Sequence, residues 1–208
     1  EPLAWVTGRV RFCGLELQVD PGVFVPRWQS EALAREAARV LPAHGLAVDL
    51  CTGAGSVAAV LAAADSGGVV LATELDPVAA ACARRNWVRV LEGDLFDPLP
   101  ADMRGLVDVL TAVAPYVPRR AMGNLPRDVV DFEPRISLDG GEDGLDVVRR
   151  IVAESVEWVR PGGMALLEVG GDQCDVVDVL LDRAGYVASK VIVDADGDVR
   201  GVCAQRAR

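Results

Sequence analysis

Ala47-Val48-Asp49-Leu50-Cys51-Thr52-Gly53-Ala54-Gly55-Ser56 is the stretch on which the rest of the chain depends. The apolar run from Gly45 to Leu50 reads as a buried strand. It enters a turn with two alternating glycines, and the alanine-rich segment Val57 to Ala64 reads as a helix. Glycine suits such a turn because the backbone bends sharply and a ligand can approach where no Cβ stands. The first turn of the following helix leaves N–H groups free for a negative ligand group. The stretch therefore reads as a nucleotide-type cofactor cradle. The pattern Gly53-x-Gly55-x-x-Ala58 is short, and an ordinary strand-to-helix turn is its plainer alternative.

Outward from this stretch, strands and helices alternate. Val69 to Thr73 reads as a second buried strand, and Val78 to Asn86 as a helix opened by Asp76-Pro77. Val88 to Glu92 and Leu106 to Ala112 supply a third and a fourth strand, Met164 to Val169 a fifth. Asp143 to Val159 and Gln173 to Ala184 read as helices, the first closed by Arg160-Pro161-Gly162-Gly163. Tyr186 to Val193 and Val199 to Gln205 form a terminal strand pair around the turn Asp194 to Asp198. Such βα alternation predicts an open, mostly parallel, doubly wound sheet with ligand at the carboxyl ends of its strands. Ahead of it, residues 1–27 read as short strand-like pieces, with a β-hairpin from Val10-Arg11-Phe12 and Leu15 to Val19 flanking Gly14. A helix from Ser30 to Leu41 follows, with Ser30 as its N-cap. We divide the chain into an N-terminal hairpin extension, residues 1–29, and a cofactor-binding domain, residues 30–208.

Composition excludes several classes. A net charge of −10 argues against a general nucleic-acid binder, which needs a basic face. No apolar run reaches the ~18 residues of a membrane span. Cys13, Cys51, Cys82, Cys174 and Cys203 are odd in number and scattered, so neither a disulfide framework nor a zinc site is expected. Reduced thiols in a cytoplasmic protein fit best. His44 is the single histidine, which removes Ser-His-Asp catalysis and histidine-rich metal sites. The chain opens on Glu1 rather than methionine, so a piece ahead of it is expected.

Three positions carry further chemistry. Glu74 ends the second strand about 20 residues beyond the glycine turn, where an acid can accept hydrogen bonds from ribose hydroxyls. A ribose is common to dinucleotides and to S-adenosylmethionine, so both stay open here. After the third strand, Glu92-Gly93-Asp94-Leu95-Phe96 offers an acid for an adenine amine and apolar cover for a ring. An acid there is also an ordinary turn residue. Residues 114–141 are rich in Pro, Gly and Arg without periodicity, and so long a loop is usually functional.

Ordered motifs run along nearly the whole chain: Pro2-Leu3-Ala4-Trp5-Val6-Thr7-Gly8, Phe12-x-Gly14-Leu15, Pro21-Gly22-Val23-Phe24-Val25-Pro26-Arg27 with Glu31, Asp49 to Gly55, and Gly93-Asp94-Leu95-Phe96. Glu133-Pro134-Arg135-Ile136-Ser137-Leu138-Asp139-Gly140-Gly141-x-Asp143-Gly144-Leu145, Arg160-Pro161-Gly162-Gly163 and Leu167-Glu168-Val169-Gly170 complete the set. With these motifs the chain resembles the protein-(glutamine-N5) methyltransferases that modify peptide-chain release factors. The resemblance implies a Rossmann-like class I methyltransferase fold, α/β with a mostly parallel sheet and an antiparallel terminal strand. It implies S-adenosylmethionine as donor, S-adenosylhomocysteine as product, and no metal. It carries the cofactor role to Arg27, Asp49, Cys51, Thr52, Gly53, Gly55, Glu74, Leu75, Asp94, Leu95 and Val113.

The departures fall on the acceptor side. Val113-Ala114-Pro115-Tyr116 stands where the family reads Asn-Pro-Pro-Tyr, and Phe132 where it usually has histidine. Trp28-Gln29-Ser30-Glu31 replaces the family's Pro-Glu-Thr-Glu. The family's N-terminal helical domain is not in this sequence. Val113 offers no hydrogen bond to a substrate amide. We therefore expect a re-lined pocket, with Trp28, Tyr116 and Phe132 as aromatic walls, and Gln29, Glu31 and Glu133 as polar contacts. Such a pocket would hold an amine of a small metabolite, with Glu31 or Glu133 as base or orienter. The catalytic set is then Val113, Ala114, Pro115, Tyr116, Glu31 and Glu133. The alternatives are a glutamine side chain of a release factor or other protein, an NAD-type oxidoreductase, and a catalytically silent binding module. Trp28 and Phe132 have a plainer role as packing for the N-terminal hairpin.

Overall fold

The computed structural model describes residues 1–64 and 67–208. A short helix α1 (Leu3–Thr7) precedes the hairpin of β1 (Arg9–Phe12) and β2 (Leu15–Gln18). Next come α2 (Glu31–Val40), β3 (Leu46–Leu50), α3 (Ser56–Ala64), β4 (Val69–Glu74), α4 (Pro77–Arg85) and β5 (Val90–Glu92). The second half runs β6 (Val107–Ala112), α5 (Arg127–Val130), α6 (Asp146–Trp158), β7 (Val159–Glu168), α7 (Cys174–Arg183), β8 (Tyr186–Val193) and β9 (Val199–Arg206). Seven strands form one sheet in the order β5-β4-β3-β6-β7-β9-β8. The first five are parallel, and β9 runs antiparallel to both β7 and β8. This is the Rossmann-like class I arrangement, with the N-terminal hairpin as a separate small sheet.

The central strand β3 is apolar almost throughout because both of its faces are covered. Val48 and Leu50 pack into the cluster shared with Ile151 of α6 and Val177 of α7. Ala47 points the other way, into the cluster with Leu33 of α2 and Leu61 of α3. Phe12 and Leu17 of the hairpin join that second cluster, which holds the hairpin on the α2 and α4 side of the sheet.

Two polar clamps set the glycine turn. Asp49 is buried in β3, and its carboxylate accepts from Thr52 Oγ1 at 2.6 Å and from Thr111 Oγ1 of β6 at 2.7 Å. Asn86 is buried at the end of α4; its amide donates to the carbonyls of Ala54 and Gln18, and its oxygen accepts from the Gln18 N–H. One side chain thus ties the glycine turn, the hairpin and α4 together.

Several boundaries differ from the sequence reading. Residues Leu3–Thr7 are helical rather than strand-like, since five residues are too few for a period to declare itself. Ser30 does not cap α2. It lies in a preceding single turn, Trp28–Ser30, with helical backbone angles and no capping bond, because its side chain is buried toward the sheet. Arg160-Pro161-Gly162-Gly163 lies inside β7, which begins at Val159; between the pairs Val107–Val159 and Val109–Met164 these residues bulge opposite the single β6 residue Asp108. Residues 114–141 are a loop in the main, with α5, a six-residue 3-10 helix (Arg119–Asn124) and one single turn (Arg135–Ser137) inside it. Asp76 does cap α4, accepting from the Val78 N–H at 2.8 Å.

Gly55 has φ of +81°, and a Cβ there would stand 2.9 Å from Val88 Cγ2 and 3.0 Å from Ala83 Cβ. Gly55→Ala is expected to cost about 1–3 kcal/mol in urea unfolding, from strain and crowding together. Burial raises the Asp49 carboxyl from 3.8 to about 6, against the lowering effect of its two hydroxyl donors. The folded state therefore holds this proton more tightly than the unfolded chain. The stabilisation is complete below the unfolded value and is lost as pH rises through about 6. Between about pH 4.5 and 7.5 the wild type should lose roughly 2 kcal/mol more stability than Asp49→Asn, by urea unfolding at each pH.

Candidate active site

A cavity of about 540 Å³ opens at the carboxyl ends of β3, β4, β5 and β6. Short connections put their first residues at its wall: Cys51, Thr52 and Gly53 after β3, Leu75 and Asp76 after β4, Gly93, Asp94 and Leu95 after β5, and Val113 and Pro115 after β6. Phe24, Pro26, Arg27 and Ser30 close it from the N-terminal side, and Pro134, Arg135, Ile136 and Ser137 from the long loop.

One half of the cavity is acidic. Glu74 accepts from the Gly53 N–H at 2.7 Å and from the Asp76 N–H at 3.0 Å. These bonds fix the carboxylate across the β3 and β4 ends and leave lone pairs for other donors. Burial nevertheless raises its pKa above the ordinary glutamate value. Thr73 Oγ1 is buried without a partner in the same wall. Gly53 has nothing within 4 Å of where a Cβ would stand, so the turn presents bare backbone here. Asp94 is bound by Arg150 of α6, with Nη2 to Oδ2 at 2.9 Å.

The other half is apolar, with arginines held in ion pairs. Arg27 stacks over Phe24 and donates from Nη2 to Glu133 Oε1 at 2.5 Å. Arg119 and Arg135 share the Asp139 carboxylate at 3.4 and 3.0 Å. Val113, Pro115, Pro134 and Ile136 supply the apolar wall between them.

Of the residues to which the resemblance carries a cofactor role, Arg27, Asp49, Cys51, Thr52, Gly53, Glu74, Leu75, Asp94, Leu95 and Val113 all line the cavity. Gly55 packs just beneath the turn, on Ala83 and Val88. The acceptor-side set divides. Val113 and Pro115 line the cavity, while Ala114 is buried behind them. Glu31 faces away: it accepts from the Cys13 N–H at 2.8 Å and pairs with Arg35. Phe132 meets Trp5 edge-on, ring centroids 6.4 Å apart, which is the packing role. Trp28 is half-exposed with the Arg200 guanidinium 5.2 Å over its ring. Gln29 and Glu133 lie behind the wall, each with one buried oxygen that has no partner. Tyr116 turns its hydroxyl inward to Glu168 Oε1 at 3.2 Å, and burial beside that carboxylate pushes its pKa up.

The sequence reading missed Ser30, Arg119, Arg135 and Arg150 as cavity residues. Arg135 lies inside a quoted motif without a role, and Ser30 reads as a helix cap. The pair Arg119-Arg120 reads as solvated surface, yet Arg119 lines the cavity, and only the fold brings it and Arg150 to the strand ends. Among the described residues no group of three His, Cys, Asp or Glu is placed to hold a metal ion, and no helix is long and apolar enough to cross a membrane.

No family model matches the chain. The release factor glutamine methyltransferase of Geobacter sulfurreducens is 36% identical over 203 residues, spanning 95% of this chain and 70% of that protein. The 4-amino-L-phenylalanine/4-methylamino-L-phenylalanine methyltransferase of Streptomyces pristinaespiralis is 34% identical over 196 residues, or 89% of this chain and 66% of that one. The solved structure of the release factor-specific protein-(glutamine-N5) methyltransferase of Alicyclobacillus acidocaldarius superposes with a TM-score of 0.57 at 26% identity, covering 92% of this chain and 100% of that chain. With its strand order, its glycine turn and this identity along nearly its whole length, the chain belongs to the release factor glutamine methyltransferase family and is an S-adenosylmethionine-dependent methyltransferase.

Proposed function

We propose that the chain methylates a neutral nitrogen, and that this nitrogen is the side-chain amide of a glutamine in a protein. The observation that carries the choice is the make-up of the acceptor half. Arg27, Arg119 and Arg135 line it, while the rings of Trp28, Tyr116 and Phe132 are engaged elsewhere. These guanidiniums are already paired with Glu133 and Asp139, so an ammonium ion would find neither an unpaired carboxylate nor an aromatic cage there, whereas an uncharged amide needs neither. The amine pocket expected from the sequence thus lacks its walls. The identity to release factor enzymes points the same way.

The residues present fit S-adenosylmethionine in the acidic half. Bare backbone at Gly53, the unpartnered Thr73 hydroxyl and the free lone pairs of Glu74 match an adenosine with hydroxyl donors. When bound, the cofactor supplies an electrophilic methyl carried on a sulfonium. Glu74 would hold the ribose, and Asp94 with Leu95 the adenine. Apolar Val113 and Pro115 would exclude water, and the backbone carbonyl at Val113 or Ala114 would orient the amide N–H. Alignment of this kind can supply most of the acceleration, up to ~7–11 kcal/mol in favourable cases.

A second reading has one observation in its favour. Val113 stands where the resemblance calls for an asparagine, which leaves an amide without a side-chain partner. An arylamine nitrogen needs that partner less, and a relative acts on 4-amino-L-phenylalanine. Labelled S-adenosylmethionine offered with a Gly-Gly-Gln release-factor peptide, and separately with 4-amino-L-phenylalanine, decides between them. Label is expected in the peptide, and label in the arylamine alone would replace the glutamine reading with the second. If glutamine is the acceptor, Val113→Asn should raise kcat/KM on the peptide by roughly 5- to 150-fold, the worth of a buried hydrogen-bond partner of about 1–3 kcal/mol. Glu74→Ala should weaken S-adenosylmethionine binding by at least about tenfold in calorimetry, through loss of charge-assisted hydrogen bonds.

A further inference from the structure

Besides Asp139, which Arg119 and Arg135 hold, three carboxylates flank the acceptor half, and their surroundings differ. Glu31 is held by Arg35 and the Cys13 N–H outside the cavity. Glu133 is buried but has a full countercharge in Arg27 at 2.5 Å. Glu168, at the end of β7, is 4% exposed and has no cation in ion-pairing distance among the described residues. Its Oε1 accepts from the Tyr116 hydroxyl, and its Oε2 is buried without a partner. Arg200 of β9 acts on it only from a distance, being spent on Asp194 at 2.6 Å and Asp198 at 3.0 Å. Ser30 is buried in the cavity wall beside Glu168, close enough for its hydroxyl to lower the Glu168 pKa. Its side chain is not engaged in capping α2. Two other lining hydroxyls are engaged elsewhere: Thr52 serves Asp49, and Ser137 donates to the Pro134 carbonyl at 2.7 Å.

We propose that Glu168 is the proton sink of the reaction, taking through Ser30 the proton that the acceptor nitrogen sheds. The inference rests on nitrogen methylation as argued above. As the nitrogen lone pair forms its bond to the methyl carbon, the carbon–sulfur pair stays on sulfur, and the nitrogen becomes positive. It regains neutrality by passing one proton to Ser30 Oγ, while Ser30 passes its own to Glu168. The carboxylic acid then returns that proton to solvent when the product leaves. Ser30 touches the reacting nitrogen, and Glu168 is a positioning residue that acts through it. No metal, oxidant or histidine is needed, in keeping with a sole histidine, His44, that lies outside the cavity. Burial raises the Glu168 pKa above the ordinary glutamate value, and the two hydroxyl donors and distant Arg200 limit the rise. That places its proton exchange closer to neutral pH, where a proton acceptor works best.

Two measurements on the full chain test this. The first needs no acceptor or cofactor: infrared difference spectra across a pH titration, wild type against Glu168→Gln. A carboxylic-acid band that titrates above the ordinary glutamate range and vanishes in Glu168→Gln is expected; superimposable spectra would overturn the proposal. The second is the pH profile of kcat/KM on whichever of the two acceptors the wild type methylates. Glu168→Gln and Ser30→Ala should each lower kcat by about 10²-fold. The acid limb should flatten in Glu168→Gln, calorimetric S-adenosylmethionine binding should be unchanged there, and Glu168→Asp should recover part of the rate. An unchanged acid limb in Glu168→Gln would refute the assignment. Absence of turnover by the wild type on both acceptors defeats the acceptor reading instead, and the infrared result then decides for Glu168.

Discussion

The buried carboxylate of Asp49 is the constraint from which the site follows. A charged group inside a sheet is costly unless it is well bonded. Its two hydroxyl donors come from opposite directions, Thr52 in the glycine turn and Thr111 in the neighbouring strand β6. Satisfying one buried group therefore fixes where the turn lies relative to the strand that ends at Val113. The Asn86 clamp repeats the device on the far side, holding Ala54 of the turn to the hairpin residue Gln18. Between these clamps the turn is formed in advance of any ligand, and Gly53 donates its N–H to Glu74 rather than to solvent.

The cavity also arranges charge in a way that net charge conceals. Asp49, Glu74, Asp76 and Asp94 stand on one side, with Arg150 on Asp94, and Arg27, Arg119 and Arg135 on the other, paired with Glu133 and Asp139. A chain of net charge −10 thus presents a wall of ion pairs to one of its two ligands. The division follows from topology: the acids end parallel strands or begin the helices after them, whereas the arginines ride on connections that return over the site.

What the sequence made legible follows the same line. The β3 turn, the strand alternation and Glu74 were readable because each depends on local chemistry: a glycine where backbone must be bare, an acid at a strand end, a proline after a cap. The acceptor half was less so. Trp28 and Phe132 looked like pocket walls by neighbourhood in sequence, yet Phe132 serves Trp5 and Trp28 serves Arg200. Aromatic identity does not declare a direction. Ser30 looked like a cap because serine before an apolar period usually is one, and its burial against β7 overrode that preference. Arg135 reaches Asp139 from four residues away, but Arg119 comes to the same carboxylate from the opposite end of the long loop, a relation no local window contains.

That loop explains how a site can survive the loss of a side chain at Val113. Its two ends are bonded to each other: the Val117 N–H donates to the Leu138 carbonyl, the Gly140 N–H to the Val117 carbonyl, and the Arg119 N–H to the Gly141 carbonyl. The buried amide of Gln173 then donates to the carbonyls of Tyr116 and Asp143, pinning the loop to the start of α7. The backbone from Tyr116 to Arg119, directly after the Val113 corner, is consequently held by the far end of the loop and by Gln173. Main-chain carbonyls in a fixed segment keep their directions when a neighbouring asparagine is exchanged for valine. What such an exchange removes is one hydrogen-bond partner, and a rate changes by what that partner was worth in the transition state. Selectivity among neutral nitrogens is then set by how much each one needs the partner that Val113 does not give.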